Sequence, residues 1–138
     1  MSEPRVIRTV GLLHVVGRRL LVVRPRGKGA FYLPGGKLEP GEAEPDALRR
    51  EVREELGVEL APDSVRPARR YLGPAYGEGD GVLVDLSCYT AEVVGEPHPS
   101  AEVAELALVT EDEYLAHPET APVIVELLRD LRGAGQVA

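Results

Sequence analysis

Apolar and polar residues alternate with two different periods along this chain, and each change of period marks a new element. Residues 6–16 are rich in Val, Ile and Leu and read as a strand. Residues 19–24 read as a second strand, with Gly17-Arg18 as the turn of a hairpin. Residues 25–30 are basic and glycine-rich and read as a loop. Phe31-Tyr32-Leu33 reads as a short strand stopped by Pro34-Gly35-Gly36. From Glu44 to Leu56 the period becomes helical, with Ala47, Leu48, Val52 and Leu56 on one apolar stripe. Pro45 suits the first turn, where its missing N–H costs nothing. Glu44 and Asp46 suit the positive end of the helix dipole, and Gly57 supplies a left-handed cap. Strand patterns return at 66–72, 82–94 and 106–109, with a glycine-rich loop at 73–81 reaching over one face. Residues 112–116 read as a short helix. Residues 121–131 read as an amphipathic helix carrying Ile124, Leu127, Leu128 and Leu131 on one side. The tail from Gly133 is expected to fray. No repeat or linker divides the sequence. Residues 1–138 are therefore expected to form one α/β (α+β) domain, with a mixed sheet packed between helices.

Composition narrows the partners. The 16 Lys and Arg face 23 Asp and Glu, a formal charge of −7, which argues against stable nucleic-acid binding. With no Trp and one Phe, few side chains are left to stack on exposed bases. The single Cys88 permits no internal disulfide, and it sits within a strand pattern as expected of a buried structural thiol. No stretch approaches the ~20 apolar residues of a membrane span, and residues 1–8 lack the apolar core of a signal peptide. A cytoplasmic protein that does not engage a membrane is expected.

The acidic residues are unevenly spread, and their densest run sits where helix physics opposes it. Glu51, Glu54 and Glu55 lie three and four residues apart on neighbouring patches of one helix face. Such like-charged pairs repel by about 0.2–0.5 kcal/mol each. Carboxylates near a helix C-terminus cost roughly another 0.3–1 kcal/mol each. A bound divalent cation reverses the sign of all these terms, and clustered carboxylate oxygens are the donors that Mg²⁺ and Mn²⁺ prefer. Neutralisation by Arg49, Arg50 and Arg53 on a solvated face would account for the same cluster without any metal.

The surrounding residues favour the metal. Glu42 follows Gly36 by six positions. Eight further on the chain reads Arg50-Glu51-Val52-Arg53-Glu54-Glu55-Leu56-Gly57-Val58. From Gly36 to Val58 this resembles the Nudix box at every fixed position, and Leu33-Pro34-Gly35 is similar to the usual lead-in. The resemblance implies a Nudix-type α/β/α sandwich with a central mixed sheet, and a metal-dependent hydrolase acting on phosphoanhydrides. It implies Mg²⁺ as cofactor, with Mn²⁺ as substitute. Gly35 (through its backbone carbonyl), Glu51, Glu54 and Glu55 would be the ligands, and Glu51 could accept a proton instead. Arg50 would hold the box glutamates in place, and Glu42 would orient the loop. The general base of such enzymes often lies outside the box. Glu105 matches best, ahead of Glu102, by its distance to the strand at 106–109. Among the cations at Arg24, Arg26, Lys28 and Lys37, the candidates for phosphate contact are Arg26 and Lys37.

The expected substrate is a small nucleoside diphosphate derivative: a nucleoside triphosphate, an NDP-sugar or similar. The expected assembly is a monomer or a homodimer. Residues 118–124 resemble the MutT segment before its last helix, but Thr120 stands where that type has a base-reading Asn and cannot offer the same paired donor and acceptor. Stacking would fall to Phe31, Tyr32, Tyr71, Tyr76 or Tyr89. The alternative class is a non-catalytic nucleotide-binding Nudix module that regulates a partner. Such modules usually lose box glutamates, and here all are present.

Overall fold

The computed structural model describes residues 5–138. The described chain runs β1 (Arg5–Leu12), β2 (Val15–Val16), β3 (Arg19–Pro25), β4 (Gly35–Lys37), α1 (Glu44–Leu56), β5 (Glu59–Leu60), β6 (Arg66–Pro74), β7 (Val82–Thr90), β8 (Val93–Val94), β9 (Val103–Val109), α2 (Glu111–Leu115) and α3 (Pro122–Gly133). One sheet has the order β4-β1-β7-β6 and a second the order β2-β3-β9; β5 and β8 pair separately. β1 and β7 are parallel while their outer neighbours are antiparallel, so the larger sheet is mixed, as expected.

Helices cover both sides, and the core divides accordingly. Ala47, Leu48, Val52 and Leu56 of α1 pack with Val10, Leu12, Leu21 and Val23. Ile124, Leu127, Leu128 and Leu131 of α3 pack with Leu20, Val22, Leu86 and Cys88 on the other side. Alternation along each strand sends successive side chains to opposite cores. Burial pushes the Cys88 thiol up to about 12, in keeping with an inert structural role.

Several elements differ from the sequence pattern for identifiable reasons. The apolar run at 6–16 breaks at Leu13-His14, where the chain leaves one sheet for the other. Leu13 N–H donates to Tyr89 O and Leu21 N–H donates to His14 O, so pairing changes partner while burial continues. Gly17 and Arg18 both take positive φ, 57° and 62°, as the expected two-residue hairpin requires. Gly35-Gly36 does not stop a strand. It forms β4 beside β1, and Phe31–Leu33 contributes only an isolated bridge between Tyr32 and Val23. Glycine marks a close approach of two backbones there, which period counting reads as a break. The run at 82–94 is interrupted after Thr90 so that β8 can pair with β5, and β9 begins earlier than expected, at Val103. The tail is not frayed: Val137 is buried and Ala138 N–H donates to Arg18 O.

Two connections shape the region around β4. The buried Tyr114 hydroxyl donates to Phe31 O at 2.6 Å and accepts from Ala121 N–H at 3.0 Å, tying the segment before the glycine pair to the start of α3. At the far end of α1, His98 and Ser100 N–H donate to the Leu56 and Glu55 carbonyls, both at 3.0 Å. These two bonds satisfy carbonyls that the helix itself leaves free.

Candidate active site

The helix stripe that buries Leu48, Val52 and Leu56 turns Glu51 and Glu55 towards β4. Glu55 accepts from Gly35 N–H at 3.2 and 3.4 Å through its two oxygens. Glu51 lies against Gly36, where a Cβ would stand 2.7 Å from the Glu51 carboxyl carbon. Gly35 has φ 152°, and a Cβ on it would sit 1.9 Å from the Val10 carbonyl oxygen. Both glycines thus give up side-chain volume that the carboxylates and β1 occupy.

Arg50 holds this cluster from the opposite side. Its Nε and Nη2 donate to the two oxygens of Glu42 at 2.9 and 2.8 Å, a bidentate contact. Its Nη1 donates to Glu51 Oε1 at 2.8 Å and stands 3.8 Å from Glu54. Glu42 also accepts from Glu39 N–H at 3.0 Å. The Arg50 contact, followed by this backbone bond, holds the Glu42 carboxyl down at about 2. Glu42 therefore engages the same arginine that contacts Glu51.

Glu51 and Glu55 are protonated more readily than ordinary glutamates. Burial raises Glu55 to about 8; the Gly35 N–H opposes the shift, and the Glu51 and Glu54 charges add to it. Burial also raises Glu51, against the opposing pull of Arg50 and with help from Glu54 and Glu42. Glu54 is the most exposed of the three.

The donor set suits a hard divalent ion: three carboxylates beside glycine backbone, with two of the carboxyls driven towards the neutral form by burial and mutual repulsion. Among the described residues, no three acidic, His or Cys side chains converge as they stand. Glu51 is drawn to Arg50 and Glu55 to the Gly35 amide, so convergence on an ion requires side-chain rotation. The donors fit a hard divalent ion in chemistry.

A pH effect follows for the metal-free protein. Glu55 sits at about 8 in the fold against an ordinary 4.5, so the native state binds the extra proton between these values. Its stabilising contribution is complete below about 4.5 and is lost as pH rises through about 8. With chelator present, the melting temperature should fall more steeply between pH 4.5 and about 8 in the native sequence than in E55Q. Parallel curves would contradict this.

A cavity of about 280 Å³ opens from the glycine pair between the two sheets. Glu55, Gly35, Gly36 and Lys37 line one end. Its walls are apolar (Ile7, Val23, Leu33, Val84, Leu86, Ile124), and Tyr32, Tyr76 and Lys28 also face it. That is near the lower end of small-ligand pockets, which run from about 300 Å³.

The sequence-derived candidates divide here. Glu55, Gly35 and Lys37 line one end of the cavity; Glu51 lies against Gly36 and Arg50 rather than in the lining, and Arg50 also stands near Glu54. Arg26 is exposed and does not line the cavity; its N–H donates to Glu102 O, and Lys28 of the same loop takes the place at the wall. Glu105 is also placed apart. It pairs with Arg24 at 2.8 Å, on the β3–β9 face that carries Val22 and Val109 into the α3-side core, opposite to α1. Of the stacking candidates, Tyr32 and Tyr76 line the cavity. Phe31 and Tyr71 are buried in the α3-side core, and Tyr89 donates to Glu44. Thr120 is absent from the wall, whereas its neighbour Ala121 is present. The sequence pattern does not reveal the apolar walls because their residues come from three strands, Leu33 and α3 and share no local spacing.

The family model of the NUDIX domain matches residues 5–131. The chain belongs to the Nudix family. This Nudix chain is 30% identical to the CTP pyrophosphohydrolase of Escherichia coli (strain K12) over 115 residues, covering 81% of the chain and 80% of that enzyme. Shorter matches include an 8-oxo-dGDP phosphatase from Homo sapiens, 47% identical over 38 residues, and the nucleoside triphosphatase NudI of Enterobacter sp. (strain 638), 54% identical over 39. Each covers 28% of this chain, but only 12% and 28% of those proteins. Among solved structures, the E. coli ORF135 protein superposes with a TM-score of 0.71 at 27% identity, covering 95% of this chain and 94% of that one. The MutT protein of Methanosarcina mazei Go1 gives 0.76 at 21% identity, covering 98% and 99%, which shows the shared fold. This chain is thus a member of the Nudix family in sequence and fold, with enzymes among its relatives.

Proposed function

We propose that this Nudix hydrolase, with Mg²⁺ or Mn²⁺ bound, cleaves a phosphoanhydride bond in a nucleoside triphosphate or another small nucleoside diphosphate derivative. The observation that carries this reading is the juxtaposition of Glu51 and Glu55, packed on the Gly35-Gly36 pair, with the end of an apolar cavity. Glu54 and Glu55 would hold the ion beside the glycine backbone, with Glu51 next to them. The bound ion supplies a water of lowered pKa and shields phosphate oxygens. Arg50, anchored on Glu42, fixes Glu51 for that task. Lys37 and Lys28 offer point charges to the phosphate chain, and the cavity with Tyr32 and Tyr76 receives the nucleoside. We assign proton acceptance to Glu51 in preference to Glu105, which Arg24 engages on the opposite face. Cytoplasmic residence belongs to the same proposal. Among the described residues no helix is long and apolar enough to cross a membrane.

The test is a panel of nucleoside triphosphates, nucleoside diphosphates and NDP-sugars, each with Mg²⁺, Mn²⁺ or chelator. The similarity to a CTP pyrophosphohydrolase makes CTP the first substrate to try. Metal-dependent release of phosphate, pyrophosphate or a nucleoside monophosphate from at least one member is expected. A panel that stays uncleaved with both metals would overturn the reading.

A further inference from the structure

The outer wall of the cavity is built differently from the rest. Pro74, the last residue of β6, lines it together with Ala75, Tyr76 and Glu78 of the segment joining β6 to β7. Gly77, Gly79 and Gly81 of this segment have φ of 80°, 93° and 77°, and none has an atom within 4 Å of where a Cβ would stand. The segment thus bends on unpacked glycines. Its recorded backbone bonds are local: Ala75 N–H donates to Val82 O, and Glu78 N–H to Ala75 O.

One side-chain bond ties this segment to the body of the protein. The Tyr76 hydroxyl donates to Glu119 Oε1 at 2.8 Å. Glu119 precedes α3, two residues before the wall residue Ala121. Its other oxygen lies against the loop on the opposite rim: a Cβ on Gly29 would stand 1.5 Å from Glu119 Oε2. Gly29 does not have a positive φ, so space rather than backbone conformation favours glycine there. One carboxylate therefore spans the β3–β4 loop, the glycine-rich β6–β7 segment and the start of α3, three parts of one rim.

We propose that Tyr76 and Glu119 form a clasp that holds the Ala75–Gly81 segment as the outer wall of the nucleoside cavity. This makes them positioning residues for the nucleoside half of the substrate, and that role rests on the function proposed above. Loss of this bond leaves the segment with only its local backbone bonds. Y76F removes the donor and keeps the ring. E119A removes the acceptor, and E119Q retains an acceptor oxygen.

Limited proteolysis by a glutamyl endopeptidase, read by mass spectrometry at Glu78 without metal or nucleotide, tests the clasp alone. Cleavage after Glu78 should be about tenfold faster in Y76F and E119A, no faster again in the double variant, and close to native in E119Q. Unchanged cleavage, or independent multiplying effects in the double variant, would overturn the clasp. With CTP and Mg²⁺, Y76F should raise KM about tenfold and leave kcat within about twofold. An unchanged KM beside faster cleavage would overturn the positioning role. Failure of every nucleotide on the panel would instead remove the proposed function, while the Glu78 readout would still decide the clasp.

Discussion

E55Q should fold as the native protein does and lose roughly a thousandfold in kcat. Metal-assisted charge stabilisation is worth several kcal/mol, and each 1.36 kcal/mol is a factor of ten in rate. Glutamine keeps the size of glutamate and can still accept from Gly35 N–H, so the packing of α1 on β4 survives. It cannot supply the negative charge that makes an ion worth binding beside Glu51 and Glu54. E54Q should fall by a similar factor with even less effect on stability, because Glu54 is largely exposed and makes only a distant contact with Arg50. Circular dichroism and thermal melting separate this outcome from misfolding. Native turnover in both variants would remove the carboxylates from the chemistry.

The second large effect is on stability. Gly35→Ala should destabilise the fold by roughly 2–5 kcal/mol, combining backbone strain with overpacking. The new methyl would stand 1.9 Å from Val10 O and 2.9 Å from Gly11 Cα, and both are ladder backbone rather than flexible side chain. Relief requires β4 to part from β1, which also withdraws the Gly35 amide from Glu55. Gly77→Ala is the control. Its φ of 80° is also unfavourable to alanine, but nothing lies within 4 Å. It should cost only about 1–2 kcal/mol. Urea unfolding of the two variants makes the comparison, and equal losses would show that the close approach to β1 contributes nothing.

How far the sequence foretold this depended on whether the signal was local. Helix α1 was legible from Glu44 to Leu56 because its stripe, first-turn proline and capping glycine lie within one stretch. The box glutamates and Arg50 were legible for the same reason: helical spacing alone makes them neighbours. The local pattern marks Gly35 as part of a strand stop because its partner, Gly11, is far away in sequence and is brought beside it only by sheet pairing. Glu105 had a suitable distance to a strand, but strand parity decides the face. Its pairing with Arg24 placed it on the α3 side. Arg26 and Lys28 are two residues apart in one loop, and only the fold decides which of them faces the cavity. Tyr76 and Glu119 are separated by 43 positions, and no periodicity links them. Val137 lies beyond the helical pattern that ends near Leu131, and tertiary packing alone buries it.

The central claim is that the carboxylates at the end of α1 gather a divalent ion when one is present. Titration with Mn²⁺, followed by its electron paramagnetic resonance signal, measures that directly, with CTP added in a parallel series. The native protein should deplete free Mn²⁺ at a defined stoichiometry, and the E54Q/E55Q double variant should bind at least about tenfold more weakly. Equal depletion by the native and double-variant proteins, with nucleotide present, would contradict the account.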